Sequence, residues 1–233
     1  MKKITALFFV ALLSGTIYAQ DNSSSISKFR FGFKVAPSLA WLKPDANDYE
    51  SDGSKIGFIY GLMMDYNFAK NYAVNVGLEV AYRGGKLKYD HEVSQNVTAS
   101  GKMAYNIKYI ELPLSIKMKT NEIGYMTYYG QFGLQPGLNI AAKYDYEYTI
   151  NNPSAPVNSQ SDKDVDIVNE IVDFNFSLLF GIGTEYRISG NTSIMAGLQF
   201  SNGFTDLIKS DDPSGTPIKA ISNYISLNVG IFF

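Results

Sequence analysis

The sequence predicts an all-β fold, namely an eight-stranded antiparallel up-and-down β-barrel that crosses a membrane. Three observations predict it. Apolar residues alternate with small or polar residues in eight separate segments, short and long connections alternate between the segments, and aromatic residues gather at the segment ends. The 233 residues fit one domain, and the formal net charge of −2 does not suit a nucleic-acid-binding protein.

The first nineteen residues have the features of a secretory signal peptide. Lys2 and Lys3 precede an apolar run from Ala6 to Leu13, and Ala19 provides a small residue at the cleavage point. This run is shorter than a transmembrane helix, which needs roughly 20 apolar residues; the alternative is a buried N-terminal helix. We therefore expect a signal peptide over residues 1–19, an N-terminal periplasmic segment over residues 20–28 and the barrel over residues 29–233.

The segment Ile56–Phe68 shows the alternation most clearly. Its even positions are all large and apolar or aromatic, whereas its odd positions include Gly57, Gly61 and Asp65. Successive side chains of a strand point to opposite faces, so this strand has one apolar face and one small or polar face. The same pattern predicts strands at Phe29–Trp41, Tyr72–Arg83, Ile110–Met118, Met126–Ile140, Phe174–Tyr186, Thr192–Phe204 and Ile221–Phe233.

The apolar faces carry no Asp, Glu, Lys or Arg, although charged residues make up 18% of the chain. Charge on a lipid-facing position near the bilayer midplane costs about 2–4 kcal/mol, so this pattern indicates contact with lipid. A soluble β-sandwich also alternates, but the lengths of the connections favour the barrel. Short connections are predicted at 69–71, 120–124 and 189–191, and long polar ones at 42–55, 84–103, 149–173 and 209–220.

Short turns at one end and long loops at the other are typical of bacterial outer-membrane barrels, with both termini on the periplasmic, short-turn side. Aromatic residues at the strand ends predict two girdles at the membrane interfaces, formed by Trp41, Tyr66, Tyr72, Tyr82, Tyr128 and Tyr186. Tyr144, Tyr146 and Tyr148 are expected to join the girdle beside the long loops. Phe233 lies on the apolar face of the last strand, where we expect it to be the C-terminal signal for the barrel-assembly machinery.

Charged residues on the inward faces form the main candidate site, and they are Arg30, Lys34, Asp65, Glu79, Glu111, Lys117, Glu185 and Arg187. Eight strands leave an interior only wide enough for side chains, so we expect these groups to pair and fill the lumen. The alternative is a charged lining for a narrow pore. We expect Glu111 to compensate Lys34, and we expect β-bulges where Pro37, Pro113 and Pro136 remove backbone donors.

The segment Tyr109–Lys117, with the sequence YIELPLSIK, resembles the PorT-like family of outer-membrane β-barrel domains. The Tyr- and Gly-rich strand from Tyr128 to Gly137, the segment Gly77–Gly85 and the early Phe31–Val35 are similar to that family as well. The resemblance implies an eight-stranded outer-membrane barrel. One branch of the family is associated with type IX protein secretion, but the motifs are structural and do not assign this chain to that branch.

Two groups of residues are candidates for a catalytic or a metal site. His91, the single histidine, lies three positions before Ser94, but no hydrolase motif surrounds them and a solvated loop histidine is favoured. Acidic residues follow the spacing of a calcium loop loosely, but Ile167 occupies the position that requires glycine; these residues are Asp162, Asp164, Asp166, Glu170 and Asp173. We therefore expect no enzyme activity, no cofactor and no metal.

Three functions remain open from the sequence. The first is a non-catalytic barrel whose long outer loops bind a partner or support the envelope. The second is an accessory barrel of a secretion system similar to type IX, and the third is a small pore. The expected partners are outer-membrane lipid, the barrel-assembly machinery and a secretion-system or envelope protein, and nucleic acid is not among them.

Overall fold

A computed structural model of the chain describes residues 27–45, 49–94, 97–151, 157–209 and 219–233. The predicted signal peptide and nearly all of the predicted periplasmic segment lie outside these residues. Within the described ranges, no helix is both long and apolar enough to cross a membrane.

The described residues form antiparallel strands and one short 3-10 helix, Val168–Glu170. The strands are β1 (Phe29–Pro44), β2 (Tyr49–Ser51), β3 (Lys55–Ala69), β4 (Tyr72–Ser94), β5 (Val97–Glu111), β6 (Leu114–Lys119), β7 (Met126–Asn151), β8 (Asn158–Asp166), β9 (Phe174–Ser189), β10 (Thr192–Gly203) and β11 (Ala220–Phe232).

The chain passes along the barrel wall eight times in antiparallel strands that close into a ring, which confirms the predicted eight-stranded barrel. We call each passage a crossing; the eight are β1, β3, β4, β5 with β6, β7, β9, β10 and β11. β5 and β6 together make one crossing, because they keep a single register against β7 on both sides of their interruption. The last strand, β11, pairs with β1 and closes the ring. Short turns join β3 to β4, β6 to β7 and β9 to β10, and we call this end of the barrel the short-turn end and the other the long-loop end.

The prolines interrupt hydrogen bonds without shifting the strands. Pro37 and Pro136 lie within continuous pairings, and Pro113 only separates β5 from β6. The predicted bulges at these residues are therefore wrong. The carbonyl groups still accept, since Gly77 N donates to Pro113 O at 3.0 Å and Leu112 N donates to Pro136 O at 2.9 Å. Each proline thus removes one donor but leaves the register intact.

Much of the long-loop side is strand. The predicted loops at 84–103 and 149–173 are wrong over most of their length, because β4, β5 and β7 continue past the ring and β8 adds to them. These extensions and β2 form a sheet in the order β2-β4-β5-β7-β8, which we call the projecting sheet. Its outer face is polar, so the strong alternation that marks a lipid-facing strand is absent there.

A β-bulge in β7 reverses the faces of its outer half. Ile140 has no pairing partner of its own in β5, and the register shifts by one residue at that point. Beyond the bulge, Tyr144, Tyr146 and Tyr148 lie on the face that continues the lumen, and Tyr144 stacks on Tyr105 with ring centroids 5.9 Å apart. The prediction of these three tyrosines as girdle residues is wrong, because one inserted residue changes the parity of every residue after it.

The outer wall of the ring exposes large apolar side chains. Phe31 is 60% exposed and Ile182 is 66% exposed, while the residues that alternate with them face the lumen. Soluble monomeric proteins rarely expose contiguous apolar surface of this extent. The wall therefore suits the hydrocarbon of a bilayer, where strands must pair in a closed ring to keep their backbone groups hydrogen-bonded.

Two glycines of β7 test the packing of the barrel: Gly133 lies on the inner face, and Gly130 lies on the outer face and serves as the control. A Cβ built on Gly133 would lie 2.5 Å from the Cα of Ser115, with the Leu114 carbonyl oxygen closer still, whereas the nearest atom to a Cβ on Gly130 is 4.0 Å away. We expect Gly133→Ala to lower the free energy of unfolding by about 1–3 kcal/mol, because overpacking displaces backbone. Gly130→Ala should leave it unchanged. Urea unfolding in detergent measures both; equal effects would contradict the packing described.

Candidate functional site

Two cations and two carboxylates alternate around the lumen near the short-turn end. Arg30 contacts Asp65 and Glu185 at 2.8 Å each, and Lys117 contacts Asp65 at 3.1 Å and pairs with Glu185. Phe232 lies against both cations, its ring centroid 4.5 Å from the Arg30 guanidinium carbon and 4.7 Å from Lys117 Nζ. None of the four charged side chains is more than 12% exposed. We call these four residues the lower charge cluster.

A second set of charges lies further along the lumen, and we call it the middle charge cluster: Lys34, Glu79, Arg83 and Glu111. Lys34 Nζ lies 2.8 Å from Glu79 Oε1, and Arg83 pairs with Glu111. The Arg83 guanidinium carbon is 4.8 Å from the ring centroids of both Tyr109 and Tyr224, which suits a cation–π contact with each ring. Gln135 links the cluster to the wall, because it hydrogen-bonds Glu111 and donates to Tyr224 OH at 2.8 Å.

The structure brings together seven of the eight charged residues assigned from the sequence, and Arg187 lies apart. Its guanidinium contacts Glu122 at 2.6 Å beside the short turns, where its side chain is 51% exposed. Glu111 does not compensate Lys34, so that expectation is wrong; its partner is Arg83 and the partner of Lys34 is Glu79. The residue that the sequence-based set lacks is Arg83. It lies four residues after Glu79 in β4, so the alternation of the strand places both side chains on the lumen face.

Charge balance explains how these groups tolerate burial. The two clusters contain two arginines, two lysines and four carboxylates, and each cation has a carboxylate partner. Burial of an unpaired charge costs several kcal/mol, and pairing with additional hydrogen bonds offsets that cost. Asn75 supplies such a bond by donating to Asp65 Oδ1 at 2.7 Å. Loss of one partner therefore destabilises the barrel more than the pair itself stabilises it.

An apolar core closes the lumen at the long-loop end. Its buried members, which we call the apolar cap, are Leu42, Tyr49, Leu87, Tyr105, Ile107, Tyr109, Ala142, Ile167, Ile171, Leu207, Ile208 and Ala220. The chain around the 3-10 helix turns inward to supply part of the cap, and Ile171 forms an isolated bridge with Ile208. The sequence does not reveal the cap, because residues 167–171 lie in a segment predicted as a polar loop and residues 207–208 lie between the predicted strand Thr192–Phe204 and the predicted loop at 209–220.

The space left inside the ring is small. Between the two charge clusters the lumen retains about 20 Å³, bordered by Lys34, Glu79 and Lys117. This volume holds roughly one water molecule. Over the described residues, the charged clusters, this small void and the apolar cap succeed one another along the barrel.

The girdle residues lie on the outer wall. Tyr66, Tyr72, Tyr128 and Tyr186 are exposed beside the short turns, and Tyr82 is exposed toward the projecting sheet. Four of them contact neighbouring aromatic rings, with centroid distances of 5.0 Å for Phe29–Tyr66, 6.2 Å for Phe68–Tyr72, 6.5 Å for Tyr60–Tyr82 and 6.1 Å for Tyr125–Tyr186. Trp41 stacks on Phe200 at 6.3 Å, and Phe233 lies 6.3 Å from Phe33.

The projecting sheet has two distinct faces. Its inner face continues the lumen and carries stacked tyrosines, among them Tyr144 and Tyr146 at 5.4 Å, and burial raises the pKa of Tyr144. Its outer face holds an open groove of about 480 Å³ that is bordered by polar side chains, including Glu50, Lys88, Ser100, Lys102, Glu147 and Thr149. Polar and aromatic groups on a rigid scaffold are typical of recognition surfaces.

The acidic residues with loose calcium-loop spacing do not form a loop around one point. Asp162, Asp164 and Asp166 belong to strand β8, and the register shift in its pairing with β7 puts Asp162 and Asp166 on different faces. No group of three or more His, Cys, Asp or Glu residues in the described ranges is placed to hold a metal ion. His91 and Ser94 lie in β4, and their side chains are outside the described part of the structure.

The geometry defines a class of protein: a closed eight-stranded barrel with a lipid-facing wall and a lumen filled by paired charges. A protein-family model described as an outer membrane protein beta-barrel domain matches residues 18–209. The chain belongs to that family of outer-membrane proteins, which places it in the outer membrane.

Solved outer-membrane barrels align over most of the chain at low identity. The attachment invasion locus protein Ail of Yersinia pestis is 17% identical, with 88% of this chain and 99% of Ail covered and a TM-score of 0.39. Neisserial surface protein A is 13% identical, with 89% and 98% covered and a TM-score of 0.44. OprG of Pseudomonas aeruginosa is 13% identical, with 87% and 94% covered and a TM-score of 0.41. No curated protein is similar enough to match.

The pairing in the middle charge cluster can be tested by double-mutant cycles. We expect Glu111→Ala to lower the free energy of unfolding by about 3–5 kcal/mol, because it leaves Arg83 buried without a partner. Two double-mutant cycles combine Glu111→Ala with Arg83→Met and with Lys34→Met, measured by urea unfolding in lipid vesicles. The coupling free energy should be large between Glu111 and Arg83 and close to zero between Glu111 and Lys34. Arg187→Gln, at an exposed pair, should change stability by less than about 1 kcal/mol. Strong Glu111–Lys34 coupling would contradict the observed pairing.

Proposed function

We propose that this protein is a non-catalytic outer-membrane barrel that holds a recognition surface outside the cell, either to bind a partner or to support the envelope. The observation that carries the proposal is that β4, β5 and β7 continue past the lipid-facing wall as one paired sheet. A continuous sheet transmits the rigidity of the barrel to residues far from the membrane. Surface loops without such pairing would lose more entropy on binding.

The filled lumen supports this proposal over a pore. The lower charge cluster, the middle charge cluster and the apolar cap occupy successive levels of the barrel, and each would have to open for an ion to pass. Opening would also separate buried ion pairs, at a cost of several kcal/mol. The surface that remains for function is therefore the projecting sheet.

A narrow pore remains the first alternative, and planar-bilayer recording tests it. We expect the purified protein to give no stepwise conductance, because the charge clusters and the cap block the lumen. An open barrel of a known porin, reconstituted in the same bilayers, provides the positive control. Reproducible single-channel steps that Arg83→Ala or Lys117→Ala alters would contradict the filled lumen and favour the pore.

Accessory function in a secretion system similar to type IX is the second alternative, suggested by the PorT-like segment Tyr109–Lys117. In the structure, the most distinctive residues of this segment serve the lumen, since Tyr109 and Glu111 contact Arg83 and Pro113 separates β5 from β6. The segment therefore supports the barrel fold more than a secretion role. Loss of a class of exported proteins after deletion of the gene in its host would favour secretion, and an unchanged exported set would favour the recognition surface.

The proposed orientation predicts which residues can be labelled from outside. The chain contains no cysteine, so single-cysteine variants are unambiguous. We expect Ser161→Cys in the projecting sheet to react with a membrane-impermeant maleimide in intact cells, and Asn121→Cys at a short turn to react only after the outer membrane is permeabilised. Labelling in the reverse pattern would overturn the proposal, because the sheet would then face the periplasm.

A further inference from the structure

Lysines gather where the lipid-facing wall ends on one side of the barrel. They are Lys55, Lys86, Lys108 and Lys143, which come from the four neighbouring strands β3, β4, β5 and β7, and we call them the lysine arc. Lys86 and Lys143 are exposed, while Lys55 and Lys108 are partly exposed. Directly below the arc, the wall exposes Tyr82, Ile110 and Ile140, each between 38% and 42% exposed.

The strand register places the arc around Asn106 of β5. Lys143 of β7 and Gly84 of β4 are the direct neighbours of Asn106, one on each side. Lys55 Nζ donates to Asn106 Oδ1 at 2.6 Å, and Lys108 follows two residues along on the same face. Lys86 lies one step further out, opposite Ala104. Because Gly84 has no side chain, the Lys55 side chain can cross over it toward Asn106, with Lys55 Cδ 3.3 Å from where a Cβ of Gly84 would lie.

Two carboxylates lie at the level of the arc, against its four lysines. Lys143 has an exposed ion pair with Asp164 at 3.7 Å, and Asp145 lies in the same row of the sheet as Lys86, since both are opposite Ala104. Lys86 and Lys108 have no carboxylate within ion-pair distance among the described residues, although Lys108 Nζ lies 4.9 Å from the Tyr82 ring centroid. The arc is therefore a cationic surface with an amide donor at its centre and apolar side chains beneath it.

We propose that the lysine arc and Asn106 bind the phosphate-bearing headgroup of an outer-leaflet lipid, whose acyl chains rest on the apolar wall below. Lysine ammonium groups near a membrane surface attract anionic lipid. A free phosphate would gain nothing from the wall, whereas a lipid uses both surfaces together. The occupant that fits is thus a membrane lipid with one or more phosphate groups.

Native mass spectrometry of the intact barrel in neutral detergent tests the site with phosphatidic acid as the probe. We expect the combined variant Lys86→Gln, Lys108→Gln and Lys143→Gln to raise the apparent Kd for this lipid by at least about tenfold. The corresponding variant with three arginines keeps the charge and should bind as the wild type does. Its binding also shows that the positions tolerate substitution.

A matched control removes three exposed lysines outside the projecting sheet, by Lys28→Gln, Lys70→Gln and Lys209→Gln, and should leave the Kd unchanged. An equal loss in this control would overturn the proposal in favour of general charge attraction, and wild-type affinity in the arc variant would overturn it outright. Displacement of the lipid by an equal concentration of inorganic phosphate would overturn the lipid assignment. The placement in the outer leaflet rests on the proposed orientation, which labelling at Ser161 tests separately, so failure of the site and failure of the orientation are distinguishable.

Discussion

The constraint on which the structure depends is that hydrocarbon accepts neither unpaired backbone groups nor charges. The closed ring satisfies the first condition, because β11 returns to pair with β1. The second condition keeps charged side chains off the lipid-facing wall, so at the level of the hydrocarbon they point inward. An eight-stranded ring has little space inside, so those charges must neutralise one another at short distance.

The two charge clusters are the consequence. Arg30, Asp65, Lys117 and Glu185 form a network in which each cation contacts both carboxylates. Arg83 pairs with Glu111 and also contacts the rings of Tyr109 and Tyr224. Small residues make room for the large ones, as where the Tyr129 hydroxyl lies against Gly183 and Gly197. A lumen filled in this way leaves function to the surfaces outside the ring, namely the projecting sheet and the lysine arc.

The sequence predicts the ring well and the region beyond it poorly, for a physical reason. In the lipid-facing strands, such as Ile56–Phe68, the solvent on one face is hydrocarbon, so the alternation is nearly free of exceptions. Beyond Tyr82 both faces of β4 meet polar surroundings or the apolar cap, and the pattern weakens. Pairings within the lumen, such as Arg83 with Glu111, depend on register, and a single bulge at Ile140 reverses the faces of Tyr144 and its neighbours. The alternation of apolar and polar residues alone reveals neither the register between strands nor the position of a bulge.

The proposed function depends most on the continuation of the strands as an ordered sheet beyond the membrane. Amide hydrogen exchange of the protein in nanodiscs measures this order most directly. The account predicts slow exchange for the paired backbone of residues 86–90 in β4, 100–104 in β5 and 143–149 in β7, close to that of the barrel wall and far slower than that of the turn at residues 190–191. Exchange in these three segments as fast as in the turn would contradict the projecting sheet and the recognition surface built on it.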